Sequence, residues 1–364
     1  MTAFTLCSFK AAVPDNALLK GGKISILIVM IKAQINNKEL EEYLEKLPKD
    51  DMVVFTMGDG RIRGAVFGGT HFVNTMRAQH NTGILETYIL GQASLCGALM
   101  IPAKMKGMEH INWRYDVPDS PAKGFNVEAD SRGWVRSFLL TDRIPIEKPL
   151  ENWDMKPFLG GEGYMSIQTV HPDDKFPQTS SVNTTGNIAD DLVFFFDKSE
   201  QIKSAVTTSI QMDRQGRVIG AGGIFVQVMP VTGGQYKGEK KKGAEVDTSA
   251  DKDEDEEIII KLEETFKKAP SLGTWFSQGH TGEELIQELF ADLNPVIALH
   301  RDIKWECPCS RESFINYMGT LPADELEDIK AKGEELEVKC NNCGSVYRIK
   351  PEEIIIKKTA SGAE

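Results

Sequence analysis

Two pairs of closely spaced cysteines near the C-terminus constrain the fold of this chain more than any other feature. Cys307 and Cys309 flank a single proline, and Cys340 and Cys343 flank two asparagines further along the chain. Zinc in structural sites takes four sulfur or nitrogen ligands in a tetrahedron, and two short pairs supply them with little ordered chain. Gly344 directly follows the second pair and lets the backbone turn tightly there. The spacing therefore predicts a metal site built from all four thiolates.

The same two pairs also suit redox chemistry. A thiolate is both the metal ligand and the oxidisable form of cysteine, so oxidation to disulfides removes the ligands and releases the metal. Structural zinc supplies about 10–16 kcal/mol of apparent binding free energy in small zinc domains, so a domain that loses it should unfold. Three functions remain open at this point: a permanent zinc ribbon that serves as an interaction or adaptor module, a redox switch, and a thiol–disulfide oxidoreductase. The last is disfavoured, because such enzymes carry C-x-x-C within a βαβ pattern.

The composition of the 364-residue chain restricts which kinds of partner the protein can bind and in which compartment it can work. Four of its six cysteines belong to the two pairs, which is typical of metal or redox chemistry in a reducing compartment rather than of a secreted disulfide framework. The net charge of −12 disfavours a nucleic-acid partner, since phosphates attract clustered Lys and Arg. The apolar run at Ile24–Ile31 is too short to span a bilayer. We therefore predict a cytoplasmic protein without a membrane or nucleic-acid partner.

The other candidate chemical groups are interpreted as structural. Cys96 lies in an apolar stretch with helical spacing, which is typical of an inert core thiol. Asp190 and Asp191 fall in the first turn of a predicted helix, where the helix dipole favours acidic side chains. The histidines are scattered along the sequence and are not expected to bind metal; they are His71, His80, His110, His171, His280 and His300.

Strand and helix patterns alternate without a regular βαβ repeat, which predicts an α+β fold. Glycine-containing turns indicate three hairpins, at 58–60, 131–133 and 215–216. Amphipathic or apolar spacing predicts helices at 38–47, at about 82–101 and from Ile188 onward.

Composition divides the chain into a mixed sheet and helix domain, a helical linker subdomain and a small C-terminal zinc domain with four cysteine ligands. Residues 233–258 are first basic and then strongly acidic, which predicts a disordered linker, the charged connection. Residues 259–300, the linker segment, are helical in pattern but interrupted by Pro and Gly, so they should depend on packing against their neighbours. The predicted divisions are an N-terminal extension at 1–29, the α+β core at 30–232, the charged connection at 233–258, the linker segment at 259–300, the zinc-binding domain at 301–350 and a tail at 351–364.

Several stretches of the sequence carry a family resemblance. CPCSRESF, LPADELEDI and KCNNCGSVYRI resemble the C-terminal signature of the Hsp33 family of redox-regulated molecular chaperones. Upstream, GFNVEADSRGWVRSFL, IADDLVFFFDKSEQIKSAV and DRQGRVIGAGGIFVQVMP are similar to the strands and the helix of that family's core. The resemblance covers about residues 50–350 and includes the spacing of both cysteine pairs.

The resemblance implies a specific switch. A reduced, inactive form would bind one Zn²⁺ per chain through Cys307, Cys309, Cys340 and Cys343. Oxidation, by peroxide under unfolding conditions or by hypochlorous acid, would form the disulfides Cys307–Cys309 and Cys340–Cys343 and release zinc. The C-terminal domain and linker segment would then unfold, and the protein would form a homodimer that holds unfolded or aggregation-prone client proteins without ATP. The resemblance therefore implies a chaperone rather than an enzyme.

Two features depart from the family pattern, and a third position, at Pro308, is one where the family varies. The extension at 1–29 is unusual, and Met30, which opens a self-contained stretch, is a hypothesised native start. The charged stretch at 237–257 is longer than typical. Pro308 stands between the first two cysteines and fixes the backbone there. Because a disulfide across one residue closes a strained ring, we predict that Cys307–Cys309 is the more easily reduced bond of the two.

Overall fold

A computed structural model describes residues 37–105, 107–146, 152–174, 176–229, 259–262 and 264–354. The hypothesised start at Met30 and the charged connection lie outside these residues. Two compact units are present, of which the larger ends at Trp305 and the smaller begins at Glu306. Both contain helices and sheets, so the predicted α+β class is confirmed.

One sheet of the larger unit, sheet A, has five strands in the order β10-β1-β2-β9-β8. Its strands are β1 (Asp51–Met57), β2 (Ile62–Gly68), β8 (Ser204–Met212), β9 (Val218–Val228) and β10 (Val296–Arg301). All neighbours are antiparallel. The β1–β2 turn places Gly58, Asp59 and Gly60 at positive φ, and the β8–β9 turn does the same with Gly216. Both predicted hairpins are therefore confirmed, because residues that tolerate left-handed backbone stand where the turns need them.

The second sheet, sheet B, has six strands in the order β11-β5-β4-β3-β6-β7. Its strands are β3 (His110–Asp116), β4 (Gly124–Asp130), β5 (Trp134–Leu139), β6 (Tyr164–Val170), β7 (Gln178–Asn183) and β11 (Lys304–Trp305). The predicted hairpin at 131–133 joins β4 and β5, with Gly133 at φ 97°. The two-residue strand β11 pairs in parallel with β5, so the end of the larger unit is fastened to this sheet.

A long apolar helix packs between the two sheets. The helices before the linker segment are α1 (Lys38–Leu44), α2 (Thr70–His80), α3 (Ile84–Lys104), α4 (Lys156–Leu159) and α5 (Ile188–Phe195). A Cβ added to Gly97 of α3 would lie 2.5 Å from Val127 of β4, and one added to Gly91 would lie 2.6 Å from Ile210 of β8. Among the described residues, α3 is the one helix that could span a membrane by length and composition, although 83% of its apolar window is buried in the fold. Cys96 lies within α3, and burial raises the pKa of its thiol to about 12.

The linker segment covers the opposite face of sheet A. It contains α6 (helical residues 259–262 and 264–268), α7 (Leu272–Ser277) and α8 (Gly282–Phe290). The capping box of Thr281 and Glu284 is present at the start of α8. The expectation of a helical pattern as far as residue 300 was wrong for residues 296–300, which belong to β10. Their apolar, β-branched start pairs with β1, and this long-range partner decides the conformation.

In its described residues the smaller unit has a small core cluster, whose buried members are Met318, Leu326, Val338, Ile349 and Ile354. Its elements are α9 (Arg311–Met318), α10 (Ala323–Lys332), β12 (Leu336–Lys339) and β13 (Val346–Ile349). The helix predicted between the cysteine pairs is α10, and it ends at Gly333 with φ 62°. Helix α9, which Ser310 caps, was not predicted. Such a small core provides little stability by itself.

Candidate metal and redox site

The four predicted cysteines come together in one group, the thiol cluster. All four Sγ atoms lie within 4.8 Å of one another. The sulfurs of Cys307 and Cys340 are 3.8 Å apart, and those of Cys309 and Cys343 are 3.4 Å apart. Among the described residues, no other set of three or more His, Cys, Asp or Glu side chains meets so closely. The structure thus joins two pairs that are distant in sequence.

Local backbone structure positions each pair. Cys340 and Cys343 lie in the turn between β12 and β13, where Gly344 N donates to Cys340 O at 2.7 Å. Cys340 N in turn donates to Ser345 O at 2.8 Å. Gly344 has φ 68°, the left-handed conformation expected from its place after the second pair. Cys307 and Cys309 precede the N-terminus of α9 in a segment without regular structure.

Two hydroxyl groups contact the cluster and were missed in the sequence. The hydroxyl oxygen of Tyr347 lies 3.2 Å from Cys309 Sγ, and it also donates to Cys309 O at 3.3 Å. Ser345 Oγ lies 3.2 Å from Cys343 Sγ. Hydrogen bonds of this kind orient metal ligands and stabilise thiolate charge. Alternation along a strand places residues two apart on one face, so the Ser-x-Tyr spacing after the second pair was a usable signal.

The sulfur geometry fits a tetrahedral metal ion. Zinc–sulfur bonds of about 2.3 Å in a regular tetrahedron separate the sulfurs by about 3.8 Å. The observed distances of 3.4 and 3.8 Å match this spacing, and they exceed the roughly 2.05 Å of a disulfide bond. None of the four cysteines forms a disulfide in this structure. A set of four soft sulfur ligands is typical of zinc and iron–sulfur sites.

The electrostatics of the cluster also favour a cation. The thiols of Cys307, Cys309 and Cys340 donate hydrogen bonds that lower the pKa of Cys343. The hydrogen bond with Cys307 is the largest of the causes that raise the pKa values of Cys309 and Cys340. The thiolate of Cys343 therefore forms more easily, whereas the thiols of Cys309 and Cys340 lose their protons less easily. A divalent cation in the centre relieves the repulsion that four thiolates would have.

The other groups weighed in the sequence lie elsewhere. His71 bonds to Asp50, and His300 bonds to Asp51 and Glu283, so these histidines are engaged in ion pairs. Asp191 is not simply a helix-dipole partner, because it is buried and accepts hydrogen bonds from the Tyr115 hydroxyl and the Thr185 backbone. Its neighbour Asp190 is exposed, as expected of the first helical turn.

Comparison with known proteins gives one consistent result. A family model described as Hsp33 protein matches residues 50–350. A 33 kDa chaperonin of Agathobacter rectalis is 31% identical over 308 residues, which cover 84% of this chain and 98% of that protein. One of Symbiobacterium thermophilum is 27% identical over 306 residues, covering 84% and 96%. The crystal structure of a 33 kDa chaperonin from Thermotoga maritima, described as a heat shock protein 33 homolog, superposes with a TM-score of 0.69 at 25% identity and covers 84% of this chain and 97% of its own.

Proposed function

Because the chain belongs to the Hsp33 family, we propose that it is a redox-regulated, ATP-independent holdase chaperone. The reduced, zinc-bound form is inactive, and oxidation of the thiol cluster activates it. The partners of the active form are unfolded or aggregation-prone client proteins. The observation that carries the proposal is the approach of four sulfurs, from two separate pairs, to within 4.8 Å of one another.

In the reduced form, Cys307, Cys309, Cys340 and Cys343 would hold one zinc ion. Bound zinc supplies a positive charge that keeps all four sulfurs as thiolates and ties the β12–β13 turn to the segment before α9. The hydroxyl of Tyr347 would orient and stabilise the sulfur of Cys309. Since the core cluster in the described part of the smaller unit holds five buried apolar residues, this cross-link would supply much of its stability.

Oxidation removes the metal ligands because it converts each pair of cysteines into a disulfide. A thiolate sulfur attacks one oxygen of a peroxide, which gives a sulfenic acid and a hydroxide that takes up a proton to become water. The second sulfur of the pair then attacks the sulfenic sulfur, and the hydroxyl group leaves as a second water molecule. Each disulfide therefore consumes one peroxide and transfers two electrons. Hypochlorous acid oxidises a pair with the same electron count and releases chloride.

The proposed pairing is Cys307–Cys309 and Cys340–Cys343. Each pair is separated by one or two residues, so its disulfide closes locally, and the family resemblance implies the same pairing. The reduced geometry does not select it, because the sulfur contacts of 3.4 and 3.8 Å join cysteines of different pairs. Peptide mapping of the oxidised protein without reductant tests the pairing, and crosswise disulfides would contradict it.

The linker segment connects the cluster to a client surface. Only Glu306 stands between β11 and Cys307, and two residues separate β11 from β10, the strand with which the linker segment ends, so unfolding of the smaller unit would act on that end through a short connection. The side chains of α6, α7 and α8 cover an apolar face of sheet A that includes Val53, Val66 and Ile224. Release of the linker segment would expose both this face and the helices' own apolar residues to clients. We further propose that the exposed form associates as a homodimer.

The experiment compares the protein before and after oxidation. Zinc content, thiol count and suppression of aggregation of a denatured client are measured in the reduced protein and after peroxide at elevated temperature. We expect zinc release together with a gain in client protection and a doubled mass by light scattering. Cys340→Ser removes a ligand, whereas Cys96→Ala removes a buried thiol outside the cluster and serves as the matched control.

Two outcomes would overturn the proposal. Equal client protection by the reduced and oxidised forms would favour a constitutive zinc-ribbon interaction protein. Retention of zinc after complete thiol oxidation would mean that the switch does not depend on release of the metal. In the control Cys96→Ala, zinc content and activation should match those of the unmodified protein, because that thiol lies in α3.

A further inference from the structure

Helix α1 lies outside the residues matched by the family model, yet it is firmly attached to the larger unit. Leu40 and Leu44 are buried, and Asn37 caps the helix by accepting a hydrogen bond from Leu40 N at 3.0 Å. His71 of α2 bonds through Nε2 to Leu44 O at 3.0 Å. An ion pair of 2.9 Å joins Glu39 to the β8–β9 hairpin. The helix therefore holds a fixed position from which its side chains reach other elements.

One of these side chains, Tyr43, bonds to two elements that are far apart in sequence. Its hydroxyl donates to Ile219 O of β9 at 2.9 Å and to Ser277 O of α7 at 2.8 Å. The single hydroxyl hydrogen is shared between the two carbonyl oxygens. Tyr43 is half-buried, so water competes only partly for these bonds. The hydroxyl thus joins the linker segment directly to sheet A.

Both acceptors lie at irregular positions of their own secondary structure, one at a strand bulge and the other at a helix end. The β8–β9 register passes from Gly220 to Val218, so Ile219 is the extra residue of a bulge without a cross-strand partner in β8. Ser277 is the last residue of α7, where helix carbonyls have no intrahelical donor. Backbone carbonyls at such positions have fewer donors within their own element, and the Tyr43 hydroxyl donates to the two together.

Tyr43 acts beside a close approach of α7 to the sheet. A Cβ added to Gly220 would lie 2.0 Å from Gly273 O and 2.6 Å from Ser277 N, so the helix backbone rests on a bare strand. On the same face, a Cβ on Gly222 would lie 2.2 Å from the ring of Phe276. The glycines allow close contact but offer no side chain that can bond to the helix. The hydroxyl from α1 provides that bond.

We propose that Tyr43 is a positioning residue that clasps α7 onto sheet A and thereby sets how much oxidation and unfolding stress the switch requires. In the reduced protein, this clasp keeps the linker segment packed on sheet A. Once the linker segment is released, the Tyr43 hydroxyl no longer has an acceptor on α7. This inference rests on the proposed function for its consequence in chaperone activation. Its structural part, the hold on α7, stands independently.

Tyr43→Phe tests the clasp, because it keeps the ring and removes only the hydroxyl. The matched control is Tyr164→Phe on sheet B, where the side chain is 48% exposed. Amide hydrogen exchange of residues 272–290 in the full-length, reduced, zinc-loaded protein is the primary measurement. We expect exchange about fivefold faster in Tyr43→Phe, the effect of losing one hydrogen bond of ordinary strength, and no change in the control.

Further measurements separate a clasp from general destabilisation. Zinc retention against a chelator should be equal in both variants, since neither residue belongs to the thiol cluster. Activation of Tyr43→Phe should need a lower peroxide concentration or temperature, while the fully oxidised forms should protect clients equally. Unchanged exchange at 272–290, or faster exchange throughout the larger unit, would overturn the clasp. Faster exchange there without any client protection by the oxidised unmodified protein would leave the clasp standing and reject the proposed function.

Discussion

Phe276→Ala should release the linker segment without oxidation. Phe276 belongs to α7 and is 7% exposed. A Cβ added to Gly68 of β2 would lie 2.7 Å from its ring, and one added to Gly222 of β9 would lie 2.2 Å from it. The ring therefore fills a space that the two glycines leave, and they have no side chains with which to refill it. Removing a buried phenylalanine costs about 3–5 kcal/mol, and a site that cannot collapse lies at the upper end of that range.

This cost should fall mainly on the linker segment. Regions of one fold open with free energies that range from near zero up to the global value, and the segment's helices are short and joined by Gly and Pro. Since 1.4 kcal/mol is a factor of ten, a loss of about 3 kcal/mol raises the population with an open linker segment by at least about a hundredfold. The thiol cluster is untouched, so zinc should remain bound.

Hydrogen exchange and a client-aggregation assay on the reduced, zinc-loaded variant measure the effect. We expect rapid exchange of residues 272–290 and client protection without peroxide. Phe176→Ala is the control, because that ring is 83% exposed and its loss should change neither measurement. If reduced Phe276→Ala opens the segment but protects no client, the surface under the linker segment is not the client surface. If exchange is unchanged, the packing argument itself is wrong.

Three further predictions concern the thiol cluster and the core. Cys340→Ser should abolish zinc binding and unfold the smaller unit, seen as loss of dispersed amide signals in NMR spectra. Tyr347→Phe should weaken zinc retention in chelator competition about tenfold, because a hydroxyl that orients a ligand is lost. Glu128→Gln should lower the free energy of unfolding at neutral pH by about 3 kcal/mol, since it removes the carboxylate that faces buried Arg136. Burial acts to raise the pKa of Glu128, but the hydrogen bond from a neighbouring histidine and the charge of Arg136 outweigh it and lower that pKa. This stabilisation is present above the unfolded pKa near 4.3 and is lost as pH falls through the folded value, so the difference in chemical denaturation should shrink below about pH 4.

Local signals in the sequence were sufficient for the hairpins and for the composition of the thiol cluster. Turns at 58–60, 131–133 and 215–216 were predicted because glycine supplies left-handed backbone at defined places, and φ values of 84°, 97° and 72° at Gly60, Gly133 and Gly216 agree. The two cysteine pairs predicted a four-sulfur site because their ligand spacing is a property of short segments. Each turn and each cysteine pair depends on a few neighbouring residues, so the sequence alone determines them, whereas the fold brings the two pairs together.

Only the tertiary structure decided how distant segments meet. Residues 296–301 became a strand because β1, more than two hundred positions earlier in the chain, offered them an open edge. Asp191 became a buried acceptor because Tyr115 of sheet B reaches it. Tyr43 bonds to Ile219 and Ser277 because folding brings the bulge of β9 and the end of α7 to one place beside α1. The physical reason is the same in each case: hydrogen-bond partners and packing surfaces are assigned by long-range contacts, which no local spacing in the chain encodes.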